Sequence, residues 1–207
     1  MWDVSQTDGE PLPETPRPTL LEGQAPEGLW GGLADQITDH GFGLRLVSNA
    51  KSIGGANGLT DYLTRGVSVR MDMDDAAQIK TLAHELGHVM LHGPDNADAA
   101  MHRGIAEVEA ESVALIVGAA HGLATDDYTI PYVASWASSV PGKTPVEVVQ
   151  STAERVRGAA MKILDKLDTP QAGDGNPPGL DREALAAGRG AASVQSVARR
   201  QVEVLGL

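Results

Sequence analysis

The segment Thr81-Leu82-Ala83-His84-Glu85-Leu86-Gly87-His88-Val89-Met90 constrains this chain more than any other. An H-E-x-x-H spacing carries chemistry only on a helix, where residues four apart share one face. There the His84 and His88 imidazoles project side by side and can share one Zn²⁺. Glu85 follows directly, at the edge of that face, where a carboxylate can act on water at the metal without ligating it. The layout is that of a zinc hydrolase.

The flanks support a helix. Asp75 with Gln78 three residues on reads as a capping box, after an acidic lead-in at Asp72 and Asp74 that suits a helix N-terminus. Ile79, Leu82, Leu86 and Val89 recur at helical spacing and predict the buried side.

Two histidines do not hold a catalytic zinc; a third protein ligand is needed, with one position open. A metzincin would continue H-x-x-G-x-x-H. This chain has Leu91 where the glycine belongs and Asp95 where the third histidine belongs, which excludes that class. A gluzincin takes its third ligand from a glutamate on a following helix, and residues 104–117 supply three candidates. Glu107 and Glu111 are four apart and share a face, whereas Glu109 points to nearly the opposite side. Ala110 and Ala114 lie along the Glu107 face and permit close approach to the first helix. Glu107 is therefore assigned as third ligand. Glu111 is placed to accept a hydrogen bond from the second ring nitrogen of a ligating histidine. Glu109 is expected to be solvated. His92 lies another turn beyond His88 but is rotated off its face, so it is expected to hydrogen-bond near the site rather than ligate.

His84-Glu85-Leu86-Gly87-His88 with His92, then Glu107-x-x-Ala110-Glu111-x-x-Ala114, resembles the ImmA/IrrE-type zincin metallopeptidases. The resemblance is closer to the peptidase half of ArdC-like antirestriction proteins. The opening Trp2 to Pro13 is similar to the connector that follows their single-stranded-DNA-binding domain. The resemblance covers roughly residues 1 to 167. It implies an α+β, zincin-like (gluzincin) fold, a small sheet packed on the two metal helices, one zinc per chain and a cytoplasmic role. It also implies that the strand before the metal helix, Val67-Ser68-Val69, is an edge strand lining the cleft. Such an edge could bind an extended peptide through its own N–H and C=O groups. The DNA-binding half has no counterpart here, so that activity is not carried over.

Composition narrows the alternatives. With no cysteine, histidine and carboxylate are the credible zinc ligands. A net charge of −12 argues against nucleic-acid binding through a basic surface. It fits a soluble surface, a DNA-mimicking acidic face or a site that recruits basic segments. Aromatics are scarce (3%), so the core must come from Val, Leu, Ile and Ala, which favours helix packing. No apolar run of about 18 residues suggests a membrane span.

The expected organisation is a proline-rich acidic connector over residues 1–26, a metallopeptidase domain over 27–168, and a linker with a flexible tail over 169–207. Within the domain, residues 28–39 read as a helix with Leu29, Leu33 and Ile37 on one face. Residues 42–47 and 66–71 read as strands, separated by a hairpin or loop at Gly54 to Gly58. Residues 126–129 read as a loop and 131–139 as a short helix. Thr144-Pro145 opens a long helix with Val148, Val149, Val156, Ile163 and Leu167 inward. Residues 182–207 read as a weak helix within that tail.

Three functions follow. The first is a zinc endopeptidase acting on a cytoplasmic protein, with a DNA-associated regulator as the substrate class the resemblance implies. The second is a non-proteolytic, zinc-stabilised interaction module. The third is an acidic antirestriction factor that mimics DNA. Hydrolysis also requires a group that stabilises an oxyanion. Tyr62, Tyr128, Tyr132, His92, His102 and His121 are chemically able to serve, with Tyr62, Tyr132 and His102 preferred.

Overall fold

A computed structural model describes residues 19–93 and 102–171. Among these, five α-helices and a three-stranded sheet form a mixed α+β unit. Their order is α1 (Leu29–Asp39), β1 (Gly43–Val47), a 3₁₀ turn (Ala50–Ile53), β2 (Gly58–Asp61), β3 (Gly66–Arg70), α2 (Asp75–Leu91), α3 (Arg103–Ala120), α4 (Asp126–Ser138) and α5 (Pro145–Leu164). Residues 1–18, including most of the expected connector, and residues 172–207, including the expected tail helix, lie outside the described residues. None of the described helices is long and apolar enough to cross a membrane.

The core follows from the apolar spacing. Leu29, Leu33 and Ile37 of α1 are fully buried and share one core cluster with Leu82 and Leu86 of α2, Val67 and Val69 of β3, and Val113 and Val117 of α3. Helix α3 packs against α2, α4 and α5 at once, so it is apolar on more than one side, as a central helix must be. Small residues permit the close crossing of α2 and α3. A Cβ on Gly87 would stand 3.1 Å from the Cα of Ala110. Helix α5 opens on a capping box: Thr144 Oγ1 accepts from the Glu147 amide at 3.3 Å, and Glu147 Oε2 accepts from the Thr144 amide at 2.8 Å.

The sheet departs from the sequence reading in a way that matters for the site. Its order is β1-β3-β2, with β1 parallel and β2 antiparallel to β3. Strand β3, carrying Val67, Ser68 and Val69, is therefore central; both its edges are occupied, and all three residues are buried. The edges are β1 and β2, and the one beside the cleft is β2, a four-residue strand that begins at Gly58, the last residue of the expected turn, and was not expected as a strand.

Other corrections are local. The N-cap of α2 is Asp74, not Asp75, and no side-chain cap bond forms there. The Asp74 carboxylate accepts from the Gly23 amide at 2.7 Å, and the Gly23 carbonyl accepts from the Ala76 amide at 3.2 Å. Leu21 and Ala25 pack on the core, so part of the expected connector rests on the domain. Helix α4 begins at Asp126 and runs through Pro131. Val149 of α5 is exposed rather than buried.

Candidate metal centre

Helix α2 presents His84 and His88 on one face, and α3 brings Glu107 opposite them. The two Nε2 atoms are 3.1 Å apart. Glu107 Oε2 stands 3.5 Å from His84 Nε2 and 3.9 Å from His88 Nε2. These three residues form a group able to hold a metal ion. Ligand atoms 2.0–2.1 Å from a tetrahedral zinc are separated by about 3.3 Å, close to the spacing found here. Two imidazoles and a carboxylate also match the donors that zinc prefers.

The electrostatics point the same way. Burial depresses the His84 pKa, but hydrogen bonds to Glu107 and Glu111, with the charges of Glu85 and Glu111, outweigh it and raise the pKa to about 10. Burial opposes ionisation of Glu107, yet its contacts with His84 and His88 pull its pKa well below the usual carboxylate range. A cluster that retains a proton this firmly is one whose field favours a cation. The donors, their spacing and the surrounding charge all fit zinc.

Each imidazole is fixed from behind. His84 Nδ1 lies 3.0 Å from Glu111 Oε2. The other Glu111 oxygen accepts from Thr129 Oγ1 at 2.8 Å and from the Lys80 ammonium. Glu111 is buried, which raises its pKa, but the His84 hydrogen bond and the Lys80 charge bring it down to about 2. His88 Nδ1 lies 2.9 Å from His92 Nδ1, and His92 Nε2 lies 2.8 Å from Glu109 Oε2. Burial lowers the His92 pKa despite the adjacent carboxylate. Glu109 is thus not solvated. It is 1% exposed, enclosed because α5 covers the side of α3 that the spacing assigned to solvent, and it pairs with Arg155 at 3.3 Å.

Glu85 is buried beside the pair. Its Oε2 accepts from Thr60 Oγ1 of β2 at 2.6 Å. Strand β2 passes so near that a Cβ on Gly58 would lie 2.5 Å from Glu85 Oε1, 2.9 Å from its Cγ and 2.7 Å from Thr81 Cγ2. A cleft of about 370 Å³ opens here. It is lined by residues 55–60, by the α2 side chains, and by Arg103, Tyr132 and Trp136.

The oxyanion candidates separate. Tyr62 lines the cleft, but its hydroxyl donates to the His88 carbonyl at 2.9 Å. Tyr132 lines the same cleft; burial first, then the charges of Glu107 and Glu111, raise its pKa and keep it protonated. His102 is exposed immediately before α3 and does not line the cleft. His121 is buried elsewhere, bonded to the Val117 carbonyl and to Thr169. The Tyr128 side chain lies outside the described residues.

Lys80, Gly58, Thr60, Thr129 and Arg155 escaped the sequence reading. Lys80 carried a usable signal, since it precedes His84 by four residues and shares its face. Thr60, Thr129 and Arg155 carried none, because their positions depend on tertiary packing.

Residues 42–132 match the model of the Peptidase_M78 family, the IrrE N-terminal-like domain. The matched region runs from the start of the sheet to Tyr132 and holds every metal-facing residue described above. Neither curated proteins nor solved structures give a match to the chain.

Proposed function

We propose that this chain is a zinc-dependent endopeptidase of the gluzincin type, acting on a cytoplasmic protein or peptide. The observation that carries the reading is the convergence of His84, His88 and Glu107, with Glu85 buried at their side. The similarity to a peptidase family over residues 42–132 supports it. A DNA-associated regulator as substrate rests on the resemblance to the ImmA/IrrE and ArdC-like proteins.

His84, His88 and Glu107 would hold the zinc. When bound there, Zn²⁺ supplies Lewis acidity, lowering the pKa of water toward neutrality and polarising a carbonyl. The protein supplies the remainder. Thr60 donates to Glu85 Oε2 and so leaves Oε1 to take a proton from the attacking water and return it to the leaving amine. Tyr132 retains its phenolic proton and lines the cleft, so it serves as donor to the developing oxyanion. The substrate lies extended along the edge of β2 that β3 leaves unpaired, in hydrogen bonds with the strand backbone.

Glu85→Gln tests the reading. Zinc-loaded wild type is incubated with a peptide library and internal cleavage is read by mass spectrometry. The expected result is cleavage by wild type, a loss of about 10²–10⁴-fold in the variant, and unchanged zinc content. Equal cleavage by Glu85→Gln, or none by wild type, contradicts it.

A further inference from the structure

His84 and His88 are supported differently, and the difference carries information. His84 reaches its carboxylate, Glu111, directly. His88 has no carboxylate on its Nδ1 and meets another imidazole there, with Glu109 beyond it. This inference rests on the metal-site reading above and extends it to residues that touch neither metal nor substrate.

Hydrogen-bond parity fixes the direction of the chain. If His88 gives its Nε2 lone pair to a metal, its Nδ1 bears the proton and donates. His92 Nδ1 must then accept, so His92 Nε2 bears the proton and donates to Glu109. The Glu109 carboxylate accepts from His92 and forms an ion pair with Arg155, each through Oε2; its Oε1 is buried with no hydrogen-bond partner among the described residues. The carboxylate is therefore compensated entirely through one oxygen. Arg155 in turn lies on α5 and donates to the Leu91 carbonyl at the end of α2, at 3.3 Å. The sequence of donors has one consistent assignment, from His88 through His92 to Glu109, closed by Arg155.

We propose that His92 and Glu109 are positioning residues forming a two-step buried relay that locks His88 in its metal-ligating tautomer and raises its basicity as a ligand. The relay does for His88 what Glu111 does for His84. Burial makes it effective. His92 is 7% and Glu109 1% exposed, and partners behind a ligating histidine typically change metal affinity by 10–100-fold when removed.

The test uses the full chain with zinc alone as the probe. Affinity is measured by competition with a chromophoric chelator, and histidine tautomers are read in zinc-loaded protein by long-range ¹H–¹⁵N correlation. Glu109→Gln keeps shape and an acceptor oxygen but removes the charge. The double variant His92→Leu/Glu109→Met removes the relay without stranding a buried charge. Both should weaken zinc binding by about 10–100-fold, and wild type should show protons on His88 Nδ1 and His92 Nε2. Wild-type affinity in both variants, or a His92 protonated on Nδ1 instead, overturns the relay while leaving the metal site standing. The tautomer readout needs no variant to fold. Wild type that binds no zinc overturns the relay and the metal-site reading together.

Discussion

Glu85 is held from two sides, by the Thr60 hydroxyl and by the bare backbone of Gly58. Any side chain at 58 must occupy space that the Glu85 carboxylate fills, and the Cγ contact means that rotating the carboxylate alone does not relieve it. Gly58→Ala should therefore displace the base while leaving the zinc ligands in place. A displacement near 1 Å can cost about a hundredfold in rate. Peptide turnover by the variant should fall by that order with zinc content unchanged; full activity would show that β2 does not constrain Glu85. A second residue-scale prediction concerns His84. Its pKa rises from 6.5 in the unfolded chain to about 10 in the metal-free fold, because contacts with Glu107 and Glu111 and nearby carboxylate charge outweigh burial. A raised pKa adds stability that is complete below about pH 6.5 and is lost as the pH climbs through about 10. Metal-free protein should show a falling Tm across that window. Zinc-loaded protein, in which His84 ligates without its proton, should show no such fall. A flat metal-free profile would mean that the carboxylates do not act on His84.

At the scale of elements, the site depends on the α2–α3 crossing. Next to Gly87, which meets Ala110 at that crossing, Leu86 is fully buried in the main core, in the same helical turn as the candidate metal histidines. Leu86→Ala should lower unfolding free energy by about 2–5 kcal/mol, read from the shift of the urea midpoint at constant slope. A loss below about 1 kcal/mol would mean that the crossing can collapse around the missing side chain. The same elements show what the sequence makes legible. Helix α2 was readable because its buried positions and its metal face follow one period, and α5 because Thr144 and Pro145 announce its start. Strand β2 was hidden: Gly58-Leu59-Thr60-Asp61 is short, and Asn57-Gly58 mimics a hairpin turn. With β2 unseen, β3 was left at an edge it does not occupy. The first turn of α4 was concealed by Pro131, which removes one backbone bond. Packing overrides that loss, since Thr129 bonds to Glu111 and Ala137 is buried against α3. Glu109 was misplaced because helical spacing gives the angle between two faces but not whether another helix covers the second.

Across the whole molecule, zinc would join α2 to α3 and offset the negative charge gathered between them. The chain carries a net charge of −12, and Glu85, Glu107 and Glu111 all approach the two histidines. Removing metal should therefore destabilise the fold as well as abolish turnover. With free zinc at a thousand times Kd, linkage gives about 4 kcal/mol, or roughly 8–16 °C in Tm for a domain of this size. A chelator titration that leaves Tm unchanged would deny zinc any structural share. The account stands or falls on His84, His88 and Glu107 acting as one set of ligands. Zinc content of purified wild type and Glu107→Ala, measured per chain after dialysis, tests this most directly. The account predicts one zinc per wild-type chain and loss of stoichiometric zinc in the variant. Zinc retained at one per chain by Glu107→Ala, or absent from wild type, would contradict it.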